Sequence, residues 1–118
     1  MAIIGVDIDG TVTAMPAFFS LLCNSLMASG HEVHIITYRF SHFEEQTKEL
    51  LKELNVPYTK MHFGGEQPSP PAWKGELAKE LKLDMMFEDS LENLAAMPPQ
   101  VARVWVGQQL QDIRWQSK

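Results

Sequence analysis

The chain has 118 residues, of which 45% are hydrophobic and 21% charged, and its formal net charge is −5. That length suits a single domain over residues 1–118 with no separate substrate domain, the balance excludes a disordered chain, and the acidity disfavours a long nucleic acid as partner. Cys23 is the one cysteine, so an intramolecular disulfide and a thiolate metal cage are both excluded.

The apolar opening Met1–Val6 is short and is followed at once by acids. It lacks the basic start and cleavage site of a signal peptide, and no segment has the length of a transmembrane helix. A reducing cytoplasm is the expected location, with no membrane partner.

Ile3 to Ile8 is a β-branched apolar run, as expected of a strand buried on both faces, and Asp9-Gly10 marks a turn after it. Pro16 suits a first helical turn. Phe18, Leu22 and Leu26 follow at helical spacing, and Gly30 closes the helix. Val33 to Thr37 reads as a second strand. Ser41 and Glu44 have the spacing of a capping box, with Phe43, Leu50, Leu51 and Leu54 as the buried stripe of the helix it starts.

Pro57 is a break, and Tyr58 to Phe63 reads as a third strand. Gly64 to Pro71, with two Gly and three Pro, reads as loop. Trp73, Leu77 and Leu81 predict a third helix. Met85 to Phe87 predicts a fourth strand, Ser90 to Met97 a short helix stopped by Pro98-Pro99, and Val101 to Val106 a fifth strand. A last helix is expected from Gln108. Alternating strands and helices imply an α/β fold: a three-layer, Rossmann-like sandwich around a five-stranded parallel sheet. In such sheets the active groups gather at the carboxyl ends of the strands.

Those ends carry Asp7, Asp9, Gly10 and Thr11 after the first strand, Thr37 and Arg39 after the second, and Glu88, Asp89 and Ser90 after the fourth. Lys74 lies near the start of the helix leading into the fourth strand. A carboxylate can attack phosphorus, and a second acid can protonate the leaving oxygen. Asp7 and Asp9, two apart, share a face of a regular strand. Their repulsion raises one pKa and calls for an oxygen-liganded cation such as Mg²⁺, with Asp89 completing its site. Lys74 and Thr37 are placed to hold phosphoryl oxygens.

Apolar strand plus Asp7-x-Asp9-Gly10-Thr11, then Thr37, Lys74 and Glu88-Asp89, occur in order over nearly the whole chain. In this the sequence resembles the haloacid dehalogenase (HAD) superfamily of phosphohydrolases. The resemblance implies a Mg²⁺-dependent phosphatase that hydrolyses a phosphate monoester through an aspartyl-phosphate on Asp7. Asp9 would be its general acid/base. It assigns the metal to Asp7, the Asp9 carbonyl and Asp89, and phosphate contacts to the amides near Ile8 and Asp9. Asp9 also argues against dehalogenase chemistry.

Glu88 departs from the usual Gly or Asp of the fourth motif, and Asn93 stands where a second acid often follows. Val12–Met15 and Gly64–Pro71 are too short to hold a cap domain, so the chain resembles a minimal, capless member. An open site would take a phosphorylated small molecule or the exposed phosphate end of a larger substrate, or be covered by a second subunit of a homo-oligomer.

Each residue also has a plainer reading. Thr37 is a common strand residue, Lys74 and Arg39 suit a solvated surface, and His42 belongs to a helix cap. His62 ends the third strand, beside a pocket or away from it. His31 and His34 lack a third ligand for zinc and read as a surface and a core histidine. Trp73, Trp105 and Trp115 suit core or interface positions, and the seven Met need no cofactor. A receiver-type signalling domain is a competing class, but 58–65 contains no Asp to be phosphorylated. A HAD-like relative that binds phosphate or regulates without turnover is the alternative function.

Overall fold

The computed structural model describes residues 1–107; the helix expected from Gln108, and Trp115, lie outside them. Five strands form one sheet: β1 (Ile3–Val6), β2 (Glu32–Thr37), β3 (Lys60–Phe63), β4 (Met85–Glu88) and β5 (Ala102–Trp105). Their order is β3-β2-β1-β4-β5, and all pairs are parallel. The helices are α1 (Pro16–Ala28), α2 (Glu44–Glu53), α3 (Pro70–Leu81) and α4 (Leu91–Ala95).

The sheet divides two apolar layers, as parallel sheets require. On one face Phe19 and Cys23 of α1 and Leu51 of α2 pack on Ile4, Val6, Val33 and Ile35. On the other, Ala78 of α3 and Leu94 of α4 pack on Ile36 and Met86. The expected three-layer α/β sandwich is therefore present. No helix among the described residues is long and apolar enough to cross a membrane.

Several local expectations fail for identifiable reasons. The buried stripe of α1 centres on Phe19 and Cys23, while Phe18 turns half out to solvent and meets Phe19 edge-on. The capping box at Ser41 does not form: its hydroxyl donates to Glu66 Oε1 at 2.9 Å, so an acid from the β3–α3 loop takes the place of Glu44. Phe43 leaves the core as a result and is 42% exposed. The β3–α3 loop is shorter than its Pro content suggests, because Pro70 and Pro71 occupy the first turn of α3 behind the Ser69 cap.

His62 does not reach the site either. It faces His34, with Nδ1 of His34 and Nε2 of His62 2.9 Å apart. Glu32 Oε1 accepts from His34 Nε2 at 2.8 Å, which leaves His34 Nδ1 to accept from His62. Burial first, then the charges of His34 and Lys60, push the His62 imidazole down to about 4. A neutral folded histidine that charges when unfolded contributes stability above pH 6.5 that is lost as pH falls toward 4. The margin in melting temperature of the wild type over His62→Gln is thus expected to shrink as pH falls across that interval, whatever the other groups contribute to both. A margin that does not change with pH would exclude a titrating role for His62.

Candidate functional site

β1 stops at Val6, two residues earlier than its apolar run suggests. Asp7 is still extended (φ −79°, ψ 159°), and its amide donates to Phe87 O of β4 at 3.1 Å. The chain then winds through a wide turn, Ile8–Val12, that Gly10 permits with φ +84°. A side chain at Gly10 would run into the Asp89 carboxylate. Asp7 and Asp9 therefore reach one cleft by way of this turn, not from a shared strand face. The cleft is about 370 Å³ and is also lined by Tyr38, Arg39, Pro70, Lys74, Glu88, Asp89 and Asn93.

Lys74 is the hub. It is 1% exposed, and its Nζ lies 2.9 Å from Asp7 Oδ1 and 2.6 Å from Glu88 Oε1. A buried ammonium needs such partners. Glu88, read from sequence as a departure, is the second anchor of the lysine. Its Oε1 also accepts from Asn93 Nδ2 at 3.2 Å, and its Oε2 from the amides of Asp89 and Ser90 at 3.0 and 3.1 Å. Asn93 thus serves Glu88. The clue was available in the sequence: a lysine fated for burial between strand ends needs more than one acid, and Glu88 was the nearest spare one.

The carboxyls divide by environment. Burial pushes the Asp7 carboxyl up to about 7; Lys74 opposes the rise and the Glu88 charge adds to it. Burial also acts against Glu88, but Lys74 and the backbone amides hold that carboxyl below its ordinary value. Glu88 and Lys74 are accordingly the ionised pair, in keeping with their shorter contact, and Asp7 is the acid that yields. Asp89 is raised, by burial and then by Glu88.

Asp9 goes the other way, against the expectation of a raised general acid. Arg39 grips it bidentately, Nε to Oδ2 at 2.9 Å and Nη2 to Oδ1 at 2.7 Å, and so holds its carboxyl below the usual range. Sequence spacing alone gave no sign of this pair, which joins residues 30 positions apart.

Thr37 ends β2, 1% exposed, with its hydroxyl accepting from the Arg39 amide at 3.2 Å. It is absent from the cleft lining, where Tyr38 and Arg39 appear instead. Ile8 is buried under the turn that follows Asp7. Thr11 Oγ1 donates to Asp7 Oδ2 at 2.9 Å. Trp105 Nε1 of β5 donates to Asp89 O at 2.9 Å and fixes the end of β4. His42 stands exposed against Phe43, outside the cleft lining.

Oxygens of Asp7, Glu88 and Asp89 lie within 4.8 Å of one another. Three carboxylates against one buried ammonium leave negative charge in excess, and an all-oxygen donor set suits a hard divalent cation. The residues fit such an ion, with Asp7 and Asp89 as its natural side-chain ligands, since both Glu88 oxygens are already occupied by N–H donors.

A second cleft, about 430 Å³, opens between α1 and β5. Met15, Phe18, Phe87 and Trp105 are among its lining residues, none of which titrates.

No family model matches the sequence, and no curated protein does. Among solved structures, a chain of a Pnkp1/Rnl/Hen1 complex is similar with a TM-score of 0.69 and 16% identity, over 90% of this chain. This chain spans 45% of that one's length. A universal stress protein in complex with cAMP is similar with a TM-score of 0.54 and 16% identity, over 89% of this chain and 97% of its own. At this identity the likeness establishes the α/β fold.

Proposed function

We propose that this protein is a Mg²⁺-dependent phosphatase of the HAD type, acting on a phosphate monoester with Asp7 as nucleophile. The observation that carries the reading is the buried Asp7–Lys74–Glu88 cluster at the carboxyl ends of β1 and β4, with Asp89 and Asp9 on the same cleft. Bound Mg²⁺ would be held by Asp7 and Asp89, and by the Asp9 carbonyl as the family resemblance implies, and would supply charge neutralisation at the phosphoryl oxygens. The ion would also favour the ionised, nucleophilic form of Asp7, which burial otherwise opposes.

In the first half-reaction an Asp7 oxygen would bond to phosphorus as the ester P–O bond breaks, and Asp9, protonated once Arg39 turns from it to the phosphoryl oxygens, would give its proton to the leaving alkoxide. In the second, Asp9 takes a proton from the water that attacks the acyl-phosphate, releasing inorganic phosphate and free Asp7. Lys74 would orient Asp7 for attack and offset the charge that returns to its carboxylate when the acyl-phosphate is cleaved, and Arg39 would be shared between Asp9 and the incoming phosphoryl oxygens. The free, buried Cys23 suits a reducing cytoplasm.

The Asp9–Arg39 pair favours a second reading, a phosphate-binding module without turnover, because an acid held ionised is a poor proton donor. One experiment separates the two. The protein is incubated with Mg²⁺ and glycerol phosphate, with and without chelator, and quenched samples are searched by mass spectrometry for a phosphoryl adduct. Chelator-sensitive release of phosphate with the adduct on the Asp7 peptide is the expected result. Binding without release would establish the module, and an adduct elsewhere would remove Asp7 from its role.

A further inference from the structure

Directly beyond Arg39 the rim carries Phe40, His42 and Phe43, and the function proposed above makes no use of them. Phe40 is 46% and Phe43 42% exposed, an unusual outlay of aromatic surface beside a charged cleft. Their rings form one continuous patch with the imidazole between them. Phe40 and His42 have centroids 5.5 Å apart at 30°, and His42 and Phe43 are 4.2 Å apart at 41°.

The patch is held in place. Ser41 donates to Glu66 Oε1 through both its hydroxyl (2.9 Å) and its amide (3.3 Å), and the Gly65 amide donates to Arg39 O at 3.0 Å. Gly65 lies so close that a Cβ there would stand 2.7 Å from the Phe40 backbone. The patch also belongs to the same network as the acids. Arg39 Nη1 donates to Thr47 Oγ1 at 3.2 Å, and that hydroxyl donates to Phe43 O at 2.9 Å. Phe43 is thereby linked to Asp9 through Thr47 and one guanidinium.

We propose that Phe40, His42 and Phe43 form a stacking ledge for the base of a nucleoside monophosphate whose phosphate sits at Asp7. This assignment of substrate class rests on the phosphatase reading. The charge order matches such a ligand: acids with their cations first, then Arg39, then uncharged π surface. Arg39, the neighbour of Phe40 in the chain, reaches to Asp9 with its guanidinium, so the aromatic patch is set off from the acids by that side chain. A base separated from its phosphate by a sugar would place its ring beyond the arginine and not over the acids. Base–aromatic stacking contributes enough affinity per base to register clearly in KM.

The test compares adenosine monophosphate, glycerol phosphate and phosphotyrosine as substrates of the wild type, of Phe40→Ala/Phe43→Ala, and of Phe40→Leu/Phe43→Leu. The leucine pair keeps apolar bulk and removes the rings. Calorimetric binding of adenosine monophosphate and of inorganic phosphate is measured in parallel. The wild type is expected to prefer the nucleotide. Both double variants should raise its KM roughly tenfold or more, leaving glycerol phosphate turnover and inorganic phosphate binding unchanged.

Glycerol phosphate or phosphotyrosine turned over as well as the nucleotide, or a leucine variant that keeps the nucleotide KM, would overturn the ledge while leaving the phosphatase standing. Absence of turnover on every ester would overturn the phosphatase reading. The ledge is then decided by binding: tighter nucleotide than phosphate in the wild type alone supports it, and equal affinities refute it.

Discussion

Replacing Lys74 with methionine is expected to destabilise the protein by about 3–5 kcal/mol, the cost of stranding a buried charge by removing its partner. Methionine matches the lysine stem in length and apolar character, so the loss reports the ammonium and not a cavity. Two carboxylates, Asp7 and Glu88, would face each other without the cation that now lies 2.9 and 2.6 Å from them. Protonation relieves them, so the gap between variant and wild type should be widest near pH 8 and narrow as pH falls toward 5. Urea unfolding at several pH values measures both quantities. A gap that does not depend on pH would mean that Lys74 contributes only as a packed side chain.

Asp7→Asn has the opposite signature. On the mechanism proposed above, turnover should fall by about three or more orders of magnitude, since a nucleophile has no substitute in a two-step displacement. Stability should hold or rise. In the folded protein the Asp7 carboxyl is pushed up to about 7 from an ordinary value of 3.8. Between those values the folded chain binds a proton at Asp7 that the unfolded chain releases, so the contribution of this carboxyl to stability declines as pH climbs through that window. Asparagine removes the penalty, and the variant should gain on the wild type between pH 4 and 7. Mg²⁺ should raise the melting temperature of the wild type at pH 8 and that of the variant much less. Residual turnover at the wild-type rate would dismiss Asp7 as the attacking group.

The two variants together expose what could be read from residues alone. The sheet was legible because β-branched runs, turn residues and helical spacing agreed with one another along the chain. The convergence of Asp7, Lys74 and Asp89 followed from one rule about strand ends. Contacts that depend on pairing across the fold were not legible. Glu66 displaces Glu44 as the partner of Ser41, and Arg39 reverses the expected shift at Asp9. His62 turns to His34 instead of the cleft. Each is a choice between several donors or acceptors of equal chemistry, decided by which loop passes nearby. Glu88 is the instructive case: a residue that looked like a deviation from a motif is the one that lets a lysine be buried at all.

The Trp105–Asp89 hydrogen bond carries an implication for synthesis. Asp89 is translated well before the indole that steadies its backbone, and β5 is the outermost strand on that side of the sheet. A nascent chain still short of residue 105 would hold β1 to β4 and the four acids of the cleft, yet lack the brace behind one of them. Competence to bind the proposed ion would then arrive only when β5 docks, so that a product truncated before Trp105 would carry the carboxylates without the brace that steadies Asp89.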